Sequence, residues 1–429
     1  MNIRQAIDDG AMSRFQALAI ALCVALNMLD GFDVLAMAFT ASEVAREWSL
    51  SGASLGVLLS AGLFGMAGGS LFVAPSADRI GRRAVTLSCL CVITLGMLGS
   101  AFARAPAQLT ALRVLTGIGV GGILASLNVI TSEFSSARWR TTAISLQVTG
   151  YPIGATIGGT IAAFLIARYG WRSAFLLGAI SSGLMIPVVM RTLPESLDFL
   201  LSRRPPDALP RLNELLRRMG RSEVSELPEF RADAQAGRNP VSRLFDGPQA
   251  RSTPLIWAAF FLLMFSFYFI TSWTPKLLVA AGLSTSQGIT GGVLLNLGGI
   301  AGGSLFGTLA ARLPLKRLAS LYLGSTAVSM LLFGAFATDL RAAFPIALAI
   351  GVFLFGSMVG LYATTPLLYP AAIRTTGMGW AIGIGRIGAI LAPICAGLLV
   401  DAGWGSTHLY FAFAAPLVLA VLAVQALRI

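Results

Sequence analysis

The chain has 429 residues, of which 56% are hydrophobic and only 12% charged, with a mean hydropathy of +0.78; this excludes an ordinary soluble domain. A formal net charge of +12 would point to nucleic acid in a soluble protein, but the basic residues here follow a membrane pattern, so no nucleic-acid partner is expected. Four cysteines (Cys23, Cys89, Cys91 and Cys395), all inside apolar stretches, and one histidine offer no disulfide framework and no metal spacing, and no cofactor is expected.

Stretches of roughly 20 apolar residues, the length that crosses a ~30 Å hydrocarbon layer, recur along the chain. They cover 15–38, 53–75, 84–103, 107–131, 142–167 and 172–193, then 254–275, 287–310, 318–338, 342–367, 376–400 and 408–427. The pattern predicts an all-α membrane protein with twelve transmembrane helices in two six-helix bundles, residues 1–193 and 254–429, joined by a hydrophilic linker over 194–253. The first stretch is too long for a signal peptide and lacks an evident cleavage site, so it is expected to stay in the mature protein.

That first stretch holds Asp30-Gly-Phe-Asp33, two acids whose spacing puts them on one helix face. A charge at mid-helix costs roughly 2.5–3.5 kcal/mol and marks a cavity or a proton path; acids at an interfacial helix end are the plainer alternative. Past the helix midpoint, toward the outside, they share a height with Arg113 of the fourth stretch, so Arg113 is expected to neighbour at least one of them. Protonation then releases the pair and couples a proton to closure; a permanent salt bridge is the alternative. Glu133, at the end of the fourth stretch, is expected to pair with Arg138 or Arg140.

The linker carries Leu212, Leu215, Leu216 and Met219 at helical spacing, which predicts a short amphipathic helix over 210–219 on the cytoplasmic face, its arginines available to anionic lipid. In the eleventh stretch Arg386 lies near the bilayer centre among Gly383, Gly385 and Gly388. A guanidinium there suits a bidentate carboxylate better than a sugar hydroxyl, which marks substrate binding over a structural ion pair. Asn128, Gln147, Tyr151, Tyr268, Trp273, Asn296, Tyr362 and Trp380 interrupt spans and are cavity candidates, with ordinary packing as the alternative. The rings of Tyr151 and Trp380 suit stacking on an aromatic substrate, whereas Trp273 fits an interfacial belt equally well.

With the N-terminus in the cytoplasm, 23 of the 31 Lys and Arg residues fall on the cytoplasmic side, six fall outside, and Arg113 and Arg386 lie in spans. This asymmetry sets the orientation, with both termini cytoplasmic. The chain also repeats itself. Ala74-Pro-Ser-Ala-Asp78-Arg79-Ile-Gly81-Arg82-Arg83 returns 233 positions later as Gly307-Thr-Leu-Ala-Ala311-Arg312-Leu-Pro314-Leu-Lys316. Arg140-Thr-Thr-Ala and Gly154-Ala155 return at an offset of 234 as Arg374-Thr-Thr-Gly and Gly388-Ala389. Parallel repeats of this kind hold a substrate between halves that rock about it.

The segment from Ala74 to Arg83 resembles the loop signature of the major facilitator superfamily, Gly-x-Leu-Ala-Asp-Arg-x-Gly-Arg-Arg, with Ala74 in place of its glycine and with Ala311 and Pro314 departing in the second copy. In that family the loop acid docks near the start of the eleventh helix and latches the cytoplasmic side. The resemblance implies this gating role for Asp78, supported by Arg79, Gly81 and Arg82. Asp30-Gly-Phe-Asp33, Arg113-Val-Leu-Thr-Gly117-Ile-Gly119, Thr131-Ser-Glu133-Phe, Leu193-Pro-Glu195-Ser and Gly385-Arg386-Ile-Gly388 together resemble the aromatic acid:H+ symporter family. The implied protein is a monomeric, proton-coupled importer of a small aromatic carboxylate, working by alternating access in a bacterial inner membrane, with that acid, protons and lipid as partners. Gly150-x-x-x-Gly154-Ala155-x-x-Gly158-Gly159 resembles the proton-antiporter signature but has Ala155 where that motif has proline, which favours import.

Competing readings are a symporter for another organic anion or metabolite, a proton-coupled efflux carrier, and a sensor that binds without transport. An intramembrane enzyme is disfavoured, because His408 is peripheral and no carboxylate–histidine group lies in the spans.

Overall fold

A backbone crossing lipid finds no water, so its amides and carbonyls must bond to one another, and an apolar run of this length folds as a helix. The computed structural model describes residues 7, 8, 10–227, 241–336 and 339–427. Among them, twelve helices are long and apolar enough to span: α1 Arg14–Glu47, α2 Gly52–Ile80, α3 Arg82–Ala101, α4 Pro106–Glu133, α5 Arg140–Tyr169, α6 Arg172–Thr192, α7 Ser252–Ala280, α8 Thr285–Ala310, α9 Leu315–Phe336, α10 Arg341–Leu368, α11 (Ala371–Asp401) and α12 Ser406–Gln425. Helix α1 starts on the side that carries the linker, here the linker side, and the opposite side is the far side.

Helix α1 runs to Glu47 rather than ending near residue 38, which puts Asp30 and Asp33 at its middle instead of past it. The extra turns look too polar to be membrane helix, but their polar groups are partnered. The Thr40 hydroxyl donates to the Ala36 and Met37 carbonyls at 2.9 and 3.2 Å, and the Thr285 hydroxyl at the start of α8 donates to Glu43 at 2.8 Å. Of the cysteines, Cys23 and Cys89 are buried as expected, Cys395 is partly so, and Cys91 is exposed on the outer surface of α3.

The two bundles repeat each other where helices touch backbone to backbone. In the first, a β-carbon placed on Gly69 of α2 would lie 2.1 Å from the Ile118 carbonyl oxygen of α4; in the second, one on Gly302 of α8 would lie 2.0 Å from that of Val352 in α10. Gly154 of α5 faces the Met28 carbonyl of α1 just as Gly388 of α11 faces the Phe261 carbonyl of α7. Both members of each correspondence are 233 or 234 residues apart, so the offset of the repeated motifs is also the offset of the packing. Such contacts carry association in lipid, where apolar burial between helices gains little.

The linker forms short helices over Leu197–Arg203 and Ala208–Arg218. Leu212, Leu215, Leu216 and Met219 pack against Leu22, Leu26, Phe134 and Leu193, so the apolar stripe of the second helix is covered by the first bundle and its basic residues face outward. Residues 228–240 of the linker, and Arg4 and Arg428 of the charge tally, lie outside the described residues.

Leucine in place of Gly302 should therefore force α8 and α10 apart at a cost of about 1–3 kcal/mol, read as a lower melting temperature of the purified protein. Gly303→Ala is the control, since its nearest contact would be an ordinary 3.8 Å to Val359.

Candidate functional site

The first group of buried ionisable residues lies within the N-terminal bundle. Asp30 and Asp33 are each 2% exposed and Arg113 is 3% exposed. The Arg113 guanidinium donates to Thr116 Oγ1 at 2.8 Å, Ser100 Oγ at 3.2 Å and Met97 Sδ at 2.9 Å, and it lies 4.9 Å from the Phe175 ring centre. It reaches Asp33 through the backbone carbonyl, at 3.4 Å, while the Asp33 carboxylate stands within its electrostatic range without bonding to it. Both Asp33 carboxylate oxygens and Asp30 Oδ2 have no hydrogen-bond partner among the described residues. Asp33, Arg113 and Thr116 share a small pocket of about 20 Å³, room for about one water molecule, whose remaining lining is chiefly apolar residues of α1, α2 and α4.

The second group meets across the two bundles. Helices α1 and α5 touch at Gly31, where a β-carbon would lie 2.0 Å from the Tyr151 carbonyl oxygen, and Tyr151 senses the charge of Asp30 and the phenol of Tyr268 in α7. Arg386, half-buried at mid-α11, acts electrostatically on both Tyr268 and Tyr362. No ion pair involving Arg386 occurs among the described residues. Aromatic faces back these phenols, with Phe260 5.5 Å from Tyr362 and Phe267 5.3 Å from Tyr268, centre to centre.

Gln147 is fully buried, and neither end of its amide has a partner among the described residues, while its carbonyl accepts from Asn27 at 2.6 Å. Asn296 donates to the Gly292 carbonyl at 2.9 Å and keeps its own oxygen unbonded. Two other candidates are exposed. Asn128 is exposed on α4, and Trp380, 43% exposed, stacks on Trp257 at 5.6 Å and 23°. Trp273 is not interfacial: it is 1% exposed, and its indole N–H donates to the Pro393 carbonyl of α11 at 3.2 Å.

A third cluster closes the linker side of the N-terminal bundle. Asp78, with 70% of its side chain exposed, accepts from Arg82 at 3.1 Å, and Arg79 is exposed beside it. Arg82 also donates to Glu133 at 3.2 Å, and Glu133 accepts from the Ser196 hydroxyl and the Leu197 N–H, both at 2.9 Å. The partner of Glu133 is thus Arg82, not Arg138 or Arg140; Arg140 is taken by Asp8. Glu195 accepts from the Arg82 and Arg83 amides at 2.8 and 3.1 Å, a carboxylate seated on the N-terminus of α3. This leaves no room for a side chain at residue 81: Gly81 has φ of 100°, and a β-carbon there would meet Glu195 at 2.5 Å. The motif Leu193-Pro-Glu195-Ser was the sequence signal for this cap, though nothing local paired it with residue 81.

Between the bundles, the hydrogen bonds among the described residues lie toward the far side. The Ser60 hydroxyl of α2 donates to the Ile390 carbonyl of α11 at 2.7 Å, Asp401 accepts from the amides at the start of α2, and Thr285 reaches Glu43. No hydrogen bond joins Asp78 to α11 among the described residues. Among the described residues, hydrogen bonds join the bundles toward the far side and none joins them on the linker side.

Replacing Glu133 by Gln should leave Arg82 without its buried counter-charge and destabilise the protein by about 3 kcal/mol. Adding Arg82→Leu should recover much of that loss; additive losses in a thermal-unfolding cycle would contradict the pairing.

A Major Facilitator Superfamily family model matches residues 20–368. The gallate transporter of Pseudomonas putida is 32% identical over 99% of this chain and 95% of its own length. The 4-hydroxybenzoate transporter PcaK of the same species is 30% identical, with the same coverage of each chain. Among solved structures, the inward open conformation of the xylose transporter XylE from E. coli superposes with a TM-score of 0.74 at 17% identity, over 95% of each chain.

Proposed function

This chain belongs to the Major Facilitator Superfamily, within its aromatic acid:H+ symporter family, and we propose that it imports a small aromatic carboxylate with protons across a bacterial inner membrane by alternating access. One observation carries the reading: Arg386 sits at mid-helix, half-buried and free of any described ion pair, with Tyr268 and Tyr362 in its electrostatic reach. A permanent cation kept there without a protein anion calls for an anion from outside. Its planar fork suits a carboxylate, and the surrounding phenols and phenyl rings suit an aromatic ring. The names of the relatives, transporters of gallate and of 4-hydroxybenzoate, agree with that chemistry.

In this reading residues 1–193 and 254–429 are the rocking bodies, 194–253 is the cytoplasmic linker, and both termini are cytoplasmic. The protein works as a monomer. Asp30 and Asp33 carry the coupling. A buried carboxylate without a hydrogen-bond partner is costly when charged, and binding a proton removes that cost before the bundles rock. Arg113, held by Thr116 and Ser100, supplies the local positive field without neutralising Asp33 outright. Asp78, Arg79, Gly81 and Arg82 form the cytoplasmic latch, and no hydrogen bond from Asp78 to α11 occurs among the described residues. Tyr151, Gln147, Asn128, Asn296 and Trp380 line the substrate's route.

Counterflow of labelled 4-hydroxybenzoate in proteoliposomes tests transport, since a sensor produces none. Arg386→Lys keeps the charge but loses the fork, and should weaken binding at least tenfold in a thermal-shift titration; wild-type affinity would count against the carboxylate role. The Asp30→Asn, Asp33→Asn double variant should bind substrate yet lose uptake driven by an inward proton gradient. Uptake that keeps its pH dependence in that variant sinks the coupling role.

A further inference from the structure

We propose that Asp401 is a far-side latch: its carboxylate, at the C-terminal end of α11, caps the N-terminus of α2 in the opposite bundle and holds the far side shut. It accepts from the Gly52 amide at 2.5 Å and the Ala53 amide at 2.8 Å, and no other side-chain carboxylate among the described residues bonds to backbone amides across the bundles.

The start of α2 is built to receive an outside acceptor. The first turn of a helix leaves amide hydrogens unbonded, and Ser51, the local cap, satisfies only the third of them, Ser54, at 3.2 Å. The first two, on Gly52 and Ala53, are the ones Asp401 takes. No acidic residue lies in the first turn of α2, so its positive end has no carboxylate of its own. Asp401 has the opposite problem. It sits at the negative end of α11, in a last turn without a basic residue, where a carboxylate is disfavoured by its own helix. Docking on α2 relieves both ends at once.

The approach is permitted by two glycines. A β-carbon on Gly397 would lie 2.1 Å from the Gly52 carbonyl oxygen, and one on Gly52 would lie 2.4 Å from that of Gly397. The same seam continues one turn inward, where Gly56 meets the Pro393 carbonyl and Ser60 bonds to Ile390. The pseudo-equivalent seam between α5 and α8 has no such acid: 234 positions before Asp401 stands Ala167.

The location gives the cap a direction. Helices α2 and α11 cross the membrane together, and Asp78 near the linker end of α2 is the counterpart of Asp401 at the far end of α11. The pair forms a reciprocal device in which each helix carries an acid near its C-terminal end for the N-terminus of the other, one docked when the far side is closed and the other when the linker side is. This reciprocity rests on the latch role given above to Asp78; the Asp401 cap does not.

Double electron–electron resonance tests it, with spin labels on Arg104→Cys and His408→Cys, exposed far-side positions of the two bundles, in protein whose four native cysteines are replaced. Asp401→Ala should move population from the short to the long distance by roughly five- to tenfold. Asp401→Asn, which keeps an acceptor oxygen but not the charge, should move it less, and it carries the test if the alanine variant does not fold. Superimposable distance distributions for Asp401→Ala, or for Asp401→Asn where only that variant folds, and wild type overturn the proposal. Asp78→Ala should shift population the other way, and the Asp78→Ala, Asp401→Ala double variant should return toward wild type, a compensation that simple loss of stability does not produce. A shift in Asp401→Ala with none in Asp78→Ala would sustain the far-side cap and sink the linker-side latch alone.

Discussion

Glycine-to-carbonyl contact between helices is the constraint on which the rest of this molecule depends. In lipid there is little to gain from burying one apolar helix against another, so firm packing must come from backbones brought close together. The contacts of α2 with α4 and α1 with α5, and their equivalents α8 with α10 and α7 with α11, make each bundle a body whose internal spacing cannot relax without a carbonyl meeting a β-carbon. The same contact recurs between bundles at the far-side end of the α2–α11 seam, where Gly52 and Gly397 meet, so that seam is held there as well. The seams between bundles are also where the far-side hydrogen bonds lie and where Tyr151 meets Tyr268.

Rigidity within each bundle also explains where charge is tolerated. Asp30, Asp33 and Arg113 sit inside one rigid body, so their mutual spacing is fixed and only their protonation and solvation change. Arg386 belongs to the other body, partly buried beside Tyr268 and Tyr362, and in the proposed rocking its surroundings would change. A carrier gains from that division: the groups proposed to couple the proton keep a constant field around themselves, while the group proposed to hold the substrate is exposed first to one compartment and then to the other.

Much of this was legible in the sequence, for identifiable reasons. Twelve spans follow from length and apolarity alone, and the motif offset of 233 to 234 residues is the packing offset because one helical position in each bundle does the same job. What was not legible depended on tertiary partners. The last turns of α1, from Phe39 to Glu47, lie beyond the apolar stretch that ends at residue 38, and the bond from Thr285 to Glu43 that partners them comes from α8. For Trp273 the sequence left a cavity position and an interfacial belt open, because its indole partner, the Pro393 carbonyl, lies 120 positions away. The nearest basic residues in sequence misdirected the pairing of Glu133, since Arg82 reaches it from another helix. The amphipathic linker helix was visible by its period, yet periodicity alone does not say whether protein or lipid covers its apolar face.

Helix α2 holds one more feature, a wide π turn over Gly69–Val73 between its long α segment and the turn that carries Asp78. A wide turn advances less than the ~100° per residue of an α-helix, so residues after it sit at a different angle about the axis than an unbroken α-helix would give them. The two ends of α2 are therefore out of phase with each other as a single uninterrupted rod would not be. The aim of Asp78 is therefore set by this wide turn and the tight turn at Ala74–Ser76 that follows it, independently of the glycine seam at the opposite end of α2.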